Sequence, residues 1–229
     1  MLSHRTLIAA IAASVVATSC GQAPASLESD DQKASYAIGL DMGNSLEPAA
    51  DHVDMAALLK GIEDALAEAD PAVEPEELRE VMARFNTTIR EEQEAKRLAE
   101  AETNAAEGEA YLAENGGREG VVTTESGLQY EVLREGEGVT PESGQRAVLH
   151  YKGTLPDGTE FDSSYGGEPA EFGVDQLIPG FTEALKLMNV GSHYRVVVPS
   201  DIAYGPQGGQ GAIGPNQTLV FEIELLGIQ

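Results

Sequence analysis

Cysteine is almost absent from this chain. Of 229 residues one, Cys20, is a cysteine, and tryptophan does not occur. A single thiol excludes an internal disulfide framework and the paired cysteines of a structural zinc site. Basic residues are scarce too: 14 lysines and arginines stand against 39 acids, a formal charge of −25. Affinity for a phosphate backbone comes from cations that displace counterions, so nucleic acid is excluded as a partner. The acidic surface serves to keep the chain dispersed. His4, His52, His150 and His193 lie far apart, without cysteine or carboxylate at ligand spacing, so no metal site is expected. There is no G-x-S-x-G elbow, and Ser163 and Ser164 have no histidine and acid in sequence context to activate them. Gly209, Gly211 and Gly214 satisfy G-x-G-x-x-G, but Pro215 and a terminal strand follow where a dinucleotide site needs a helix, and no cofactor is implied. That loop reads as a flexible rim whose glycines reach backbone shapes closed to other residues.

What is present begins with a targeting segment. His4 and Arg5 precede LIAAIAASVVA, an apolar run of signal-peptide length that is too short for a comfortable membrane span. Residues 1–19 are the expected signal peptide. Ala17, Thr18, Ser19 and Cys20 resemble a bacterial lipobox, with Ala17 in the place of the usual leucine, and make Cys20 the expected lipidation site. An ordinary secretory cleavage site is the alternative. Gly21, where aspartate would signal inner-membrane retention, points to an exported, periplasmic chain anchored to the outer membrane. Cleavage removes one arginine and no acid, taking the charge from −25 to −26. Residues 20–30, short and polar, form the lipidated tether.

Helical periodicity then takes over. Ile38, Met42 and Leu46 repeat every four residues, and Gly39 and Gly43 make a small-xxx-small pair that admits a close helix neighbour. Asp54 caps a second helix with Met55, Leu58, Leu59, Ile62 and Leu66 on one face, ended by Pro71 at the latest. Pro75 opens a third, with Glu74, Glu76 and Glu77 near its positive end and a stripe of Leu78, Val81, Met82, Phe85 and Ile89. Beyond Ile89 the stripe fades while helix formers continue to Gly116 and Gly117, which reads as a long exposed connector. These stripes are too small for a monomeric core, so residues 31–120 are expected to dimerise. A monomeric three-helix bundle is the alternative.

From residue 121 the period changes to two. LQYEVLR, QRAVLHYKGTL, HYRVVVP and TLVFEIELL read as strands, the last alternating Phe221, Ile223 and Leu225 with Glu222 and Glu224. LPDGTEF is a turn, and FTEALKLMNVG a short helix closed by Gly191. The fold class is therefore α+β: an antiparallel sheet on one short helix, preceded by an all-α region with a long connecting helix.

The order LHYKGTLPDGTEFDSS, EFGVDQLIPGF, VPSDIAYG, TLVFEIELLGI resembles the FKBP-type peptidyl-prolyl cis-trans isomerases across 121–229. The preceding SYAIG-x-x-x-G and charged helix look like the dimerisation half of the Mip and FkpA-like bacterial members. The resemblance implies a foldase that binds proline in an aromatic pocket and acts on X-Pro bonds of exported polypeptides. A proline-binding holdase with little isomerase activity is the alternative. Carried over residue by residue, Tyr204, Asp162, Ile178 and Phe221 take catalytic roles, and Tyr151, Phe161, Phe172, Leu177, Phe181 and Ile213 bind substrate. Macrolide inhibitors of the family are expected in the same pocket, and a homodimer through the N-terminal helices. Phe181 stands where many members carry tryptophan, and Gly209 and Gln210 leave the rim without the large apolar contacts some members have. The absence of nucleophile and metal fits such chemistry, since twisting an amide breaks no bond.

Overall fold

The computed structural model describes residues 26–229. The expected signal peptide and Cys20, with most of the tether, lie outside the described residues. The described residues divide into two compact units, the first ending at Asp70 and the second spanning Pro71–Gln229.

In the first unit, α1 (Asp30–Leu46) starts on a capping box. The Ser29 hydroxyl accepts from the Gln32 amide, and the Gln32 side chain accepts from the Ser29 amide, satisfying two donors that a helix start leaves unpaired. Asp54 caps α2 (Met55–Leu66) as its position predicts, accepting from the amides of Ala56 and Ala57. Neither helix buries a single residue. Met42 and Leu46 from α1 and Leu58, Leu59 and Ile62 from α2 instead line an open apolar groove of about 260 Å³, floored by Gly39 and Gly43. The shortage of core read from the sequence is a property of the folded unit.

The second unit starts with α3 (Pro75–Gly116), Pro75 in its first turn and Glu76 and Glu77 beside it. The chain then builds seven strands: β1 (Val121–Thr123), β2 (Gln129–Arg134), β3 (Arg146–Thr154), β4 (Glu160–Ser163), β5 (Ala170–Gly173), β6 (His193–Val198) and β7 (Leu219–Ile228). They form one antiparallel sheet in the order β1-β2-β6-β7-β3-β4, with β5 paired to β3. Between β5 and β6 lies α4 (Pro179–Leu187). It buries Phe181, Ala184 and Leu185 against Leu149, Val196, Val198, Ile223 and Leu225 of the sheet. Burying a side chain of this size is worth about 1.5–3 kcal/mol, so this layer is the main source of stability in the unit. Gly180 lets the helix sit close: a Cβ there would lie 2.4 Å from Val198 Cγ1.

The four strands expected from period-two patterning are present, and three short ones join them. The helix starts at Pro179 and ends at Leu187, two and four residues before the ends of the expected stretch, because Met188 turns extended and is fully buried. Gly191, with φ +93°, belongs to the turn that leads into β6 and does not close the helix.

The reading of α3 as an exposed connector fails over its last five turns. Ala101, Gly108 and Asn115 are buried there. A Cβ on Gly108 would lie 2.4 Å from Thr218 Oγ1, so the helix meets the start of β7 almost backbone to side chain. Asn115 donates to Gln129 at 2.8 Å, Gln129 donates to the Leu112 carbonyl at 2.9 Å, and Arg195 donates to both Asn115 and Tyr111, at 2.9 and 2.5 Å. Small residues and satisfied polar groups hold the helix to the sheet, and apolar periodicity does not register such a contact.

Candidate active site

A cleft of about 440 Å³ opens where the sheet wraps α4. Tyr151 comes from β3, Phe161 and Asp162 from β4, Phe172 from β5 and Phe221 from β7, while Leu177, Ile178 and Phe181 come from the entry to α4 and Tyr204 from the segment after β6. Ile213, the tenth residue expected, is not among the lining residues. It is 7% exposed and lies in the core cluster, where Gly209 packs over its side chain.

The floor is a set of rings meeting edge to face. Phe181 and Phe221 lie 5.0 Å apart at 81°, and Phe161 stands against Phe221 at 5.7 Å and 87°. Tyr151 contacts Phe172 at 5.6 Å and Phe181 at 6.3 Å. Such geometry sets the positive edge of one ring on the negative face of the next. Space for it comes from Gly153, which pairs with Phe221 across β3 and β7 and with Asp162 across β3 and β4. A Cβ on Gly153 would lie 2.5 Å from the Phe161 ring and 3.0 Å from that of Phe221. Sequence reasoning passed over this glycine because HYKGT reads as an ordinary strand. It also passed over Gln176, a polar residue that lines the cleft from the turn before α4.

Polar groups are few and placed on the walls. The Tyr151 hydroxyl donates to Asp162 Oδ2 at 2.5 Å. Burial, then the hydrogen bond and negative charge of Asp162, push the Tyr151 phenol well above the ordinary tyrosine range, so it stays a donor. Ile178 is the N-cap of α4, so its amide precedes the first turn and has no intrahelical acceptor. Tyr204 is 43% exposed, on the rim. The cleft thus presents an apolar floor, one carboxylate held by a phenol, a free backbone donor and a free phenol.

Two other features of this unit fall outside the cleft. His150 and His193 both pair in register with Glu224, and strand alternation puts His150 on the sheet face opposite Tyr151. A polar hollow of about 290 Å³ between α3 and the sheet is lined by Tyr111, Lys152, Arg195 and Glu222. Its cations are engaged, Lys152 by Glu160 at 3.2 Å and Arg195 by Tyr111 and Asn115.

Comparison with known proteins gives two family matches. Residues 31–132 match the domain amino terminal to FKBP-type peptidyl-prolyl isomerase, and residues 137–226 match FKBP-type peptidyl-prolyl cis-trans isomerase. The chain is 40% identical over 205 residues to the outer membrane protein MIP of Legionella longbeachae, covering 89% of this chain and 88% of that protein. It is 46% identical over 200 residues to the FKBP-type 22 kDa peptidyl-prolyl cis-trans isomerase of Escherichia coli K12, covering 86% and 95%. Among solved structures, FkpA from Escherichia coli superposes with a TM-score of 0.67 at 36% identity, over 89% of this chain and 99% of that one.

The tyrosine and carboxylate on the wall give a direct test of the geometry. Tyrosine absorbance followed to high pH is expected to include a late ionisation that disappears in Tyr151→Phe. In Asp162→Asn the charge goes and the burial stays, so that ionisation should move down yet remain above the ordinary tyrosine value. An unmoved titration would show that Asp162 does not act on Tyr151.

Proposed function

The chain belongs to the FKBP-type peptidyl-prolyl cis-trans isomerases, and from that premise we propose that the aromatic cleft is where it twists the X-Pro bonds of exported polypeptides. The observation that carries this reading is the floor of crossed rings beneath two unengaged donors, Tyr204 and the Ile178 amide.

The reaction breaks no bond. Rotation about the peptide C–N bond loses its resonance against a barrier of about 18–20 kcal/mol. Unaided X-Pro bonds relax in tens to hundreds of seconds, slow enough to limit folding. Phe161, Phe172, Phe181 and Phe221 grip the pyrrolidine ring and exclude water. A twisted amide is less polar than a planar one, so a dry apolar site lowers its relative cost. The Ile178 amide holds a substrate carbonyl, and Leu177 closes the wall beside it. The Tyr204 hydroxyl donates to the carbonyl of the rotating bond, where its hydrogen bond strengthens as the twist develops. Asp162 fixes Tyr151 through their 2.5 Å hydrogen bond and so holds the wall that faces the ring. Ile213 supports this site from the core, behind the lining residues. Macrolide inhibitors of the family compete for the same cleft.

Residues 31–120 serve as the dimerisation half. A helix pair that buries none of its residues is marginal alone, and a second copy laid on the groove of Met42, Leu46, Leu58 and Ile62 would give it a core. The chain is exported, in line with its Mip and FkpA relatives; acylation of Cys20 and an outer-membrane anchor on the periplasmic side complete the reading.

Each part has its measurement. The mature chain should accelerate cis-to-trans conversion of a proline peptide, and Tyr204→Phe should reduce kcat/KM about fivefold, the equivalent of one hydrogen bond of about 1 kcal/mol. A mature chain without rate enhancement would end the enzymatic reading. Light scattering of the chain without its lipid should give a dimer; a monomer at micromolar concentration would remove the case for paired helices. Mass spectrometry of the membrane-extracted protein should find acyl chains on Cys20, and an unmodified N-terminus would contradict the anchor.

A further inference from the structure

The segment that leaves Tyr204 is rich in glycine, with five between Gly205 and Gly214. Gly205, Gly208 and Gly211 take positive φ, at 59°, 70° and 67°, and Asn216 joins them at 54°. Glycine reaches such angles at no steric cost but loses the most freedom when held there, so something must hold this stretch. Three internal hydrogen bonds contribute, from the Asn216 amide to the Gly205 carbonyl at 2.8 Å, from the Gly208 amide to the same carbonyl at 3.3 Å, and from the Gly209 amide to the Ile213 carbonyl at 2.9 Å.

The rest of the hold comes from α3. Arg97 Nη1 donates to the Pro206 carbonyl at 3.0 Å, two residues after Tyr204. Asn104 Nδ2 donates to the Pro215 carbonyl at 2.9 Å, at the other end of the loop. Both acceptors belong to prolines, whose ring fixes φ and so removes one of the two soft backbone rotations at each anchor point. The Arg97 guanidinium is itself oriented, since its Nε and Nη2 bind the two Glu94 oxygens at 3.0 and 2.9 Å and leave Nη1 for the loop. Asn216 returns a weaker bond to the Ala101 carbonyl at 3.4 Å. Contact is close enough that a Cβ on Gly214 would lie 2.4 Å from Glu100 Oε1 and 2.8 Å from Asn104 Nδ2.

Resting on the cleft as the isomerase site, we propose that Arg97 and Asn104 of α3 are positioning residues for that reaction, holding the loop so that the Tyr204 hydroxyl sits over the rotating bond. Tyr204 is 43% exposed, so the position of its hydroxyl depends on the backbone it stands on. The proline ring is gripped by the floor, which α3 does not touch through these bonds. Loosening the loop therefore lowers kcat and leaves KM nearly unchanged, because the competent arrangement is populated less often while ring binding persists.

The test is a double-mutant cycle on the full mature chain with a proline peptide. Asn104→Ala is expected to lower kcat about fivefold, with KM within about twofold of wild type, and to have little further effect in a Tyr204→Phe background, because both changes remove the same contact. Arg97→Ala, at an exposed position that folding tolerates, should behave alike, and Arg97→Lys should recover part of the loss. Equal slowing in both backgrounds, or an unimpaired kcat in both helix variants beside a slow Tyr204→Phe, overturns the coupling while leaving the site intact. A Tyr204→Phe chain as fast as wild type overturns the site reading and this proposal with it.

Discussion

One layer of rings does two jobs in this protein, and the rest of the second unit is arranged around it. Phe221 and Phe181 are 5% and 4% exposed and belong to the buried core, yet both line the cleft. The floor of the site is therefore the upper surface of the hydrophobic core. Each crossed pair adds about 0.5–1.5 kcal/mol beyond its area burial, so the rings resist rearrangement when a ligand presses on them. Gly153 belongs to the same device: its missing side chain lets Phe161 and Phe221 meet at a right angle over β3. Site and core cannot vary independently here.

This double use explains which parts could be read from the sequence. Alternation in TLVFEIELL put Phe221, Ile223 and Leu225 on one face, and they lie on the inner face of β7. Nine of the ten expected lining residues meet in the cleft because each stands in a local motif fixed by turn and strand chemistry. Ile213 departs from that set for a physical reason. Its backbone carbonyl accepts from Gly209, and the resulting tight fold of the loop turns its side chain into the core. Gln176 and Gly153 left no mark in the pattern, one a lone polar residue and the other defined by what it lacks.

The helix before the sheet was the largest misjudgement available from sequence alone. Apolar residues at helical spacing thin out after Ile89, and a solvated connector follows as the natural conclusion. Yet Arg97, Ala101, Asn104, Gly108, Tyr111 and Asn115 recur at helical intervals, and every one of them faces the sheet or its loop. The stripe is there in small and hydrogen-bonding side chains. Detecting it requires knowing which carbonyls and glycines lie opposite, and that information belongs to the tertiary structure.

The closure of the loop between Gly205 and Asn216 changes where an entropic cost falls. Joining the ends of a flexible segment is unfavourable, and the penalty grows slowly with its length. In this chain the ends are already joined, by the Asn216 amide on Gly205 and by the two prolines tied to α3. Ordering the rim is thus completed during folding, and an entering polypeptide meets a preorganised wall and need not gather one around itself. A catalyst that must release each client quickly gains from this, since none of the ligand's binding energy is consumed in shaping the protein.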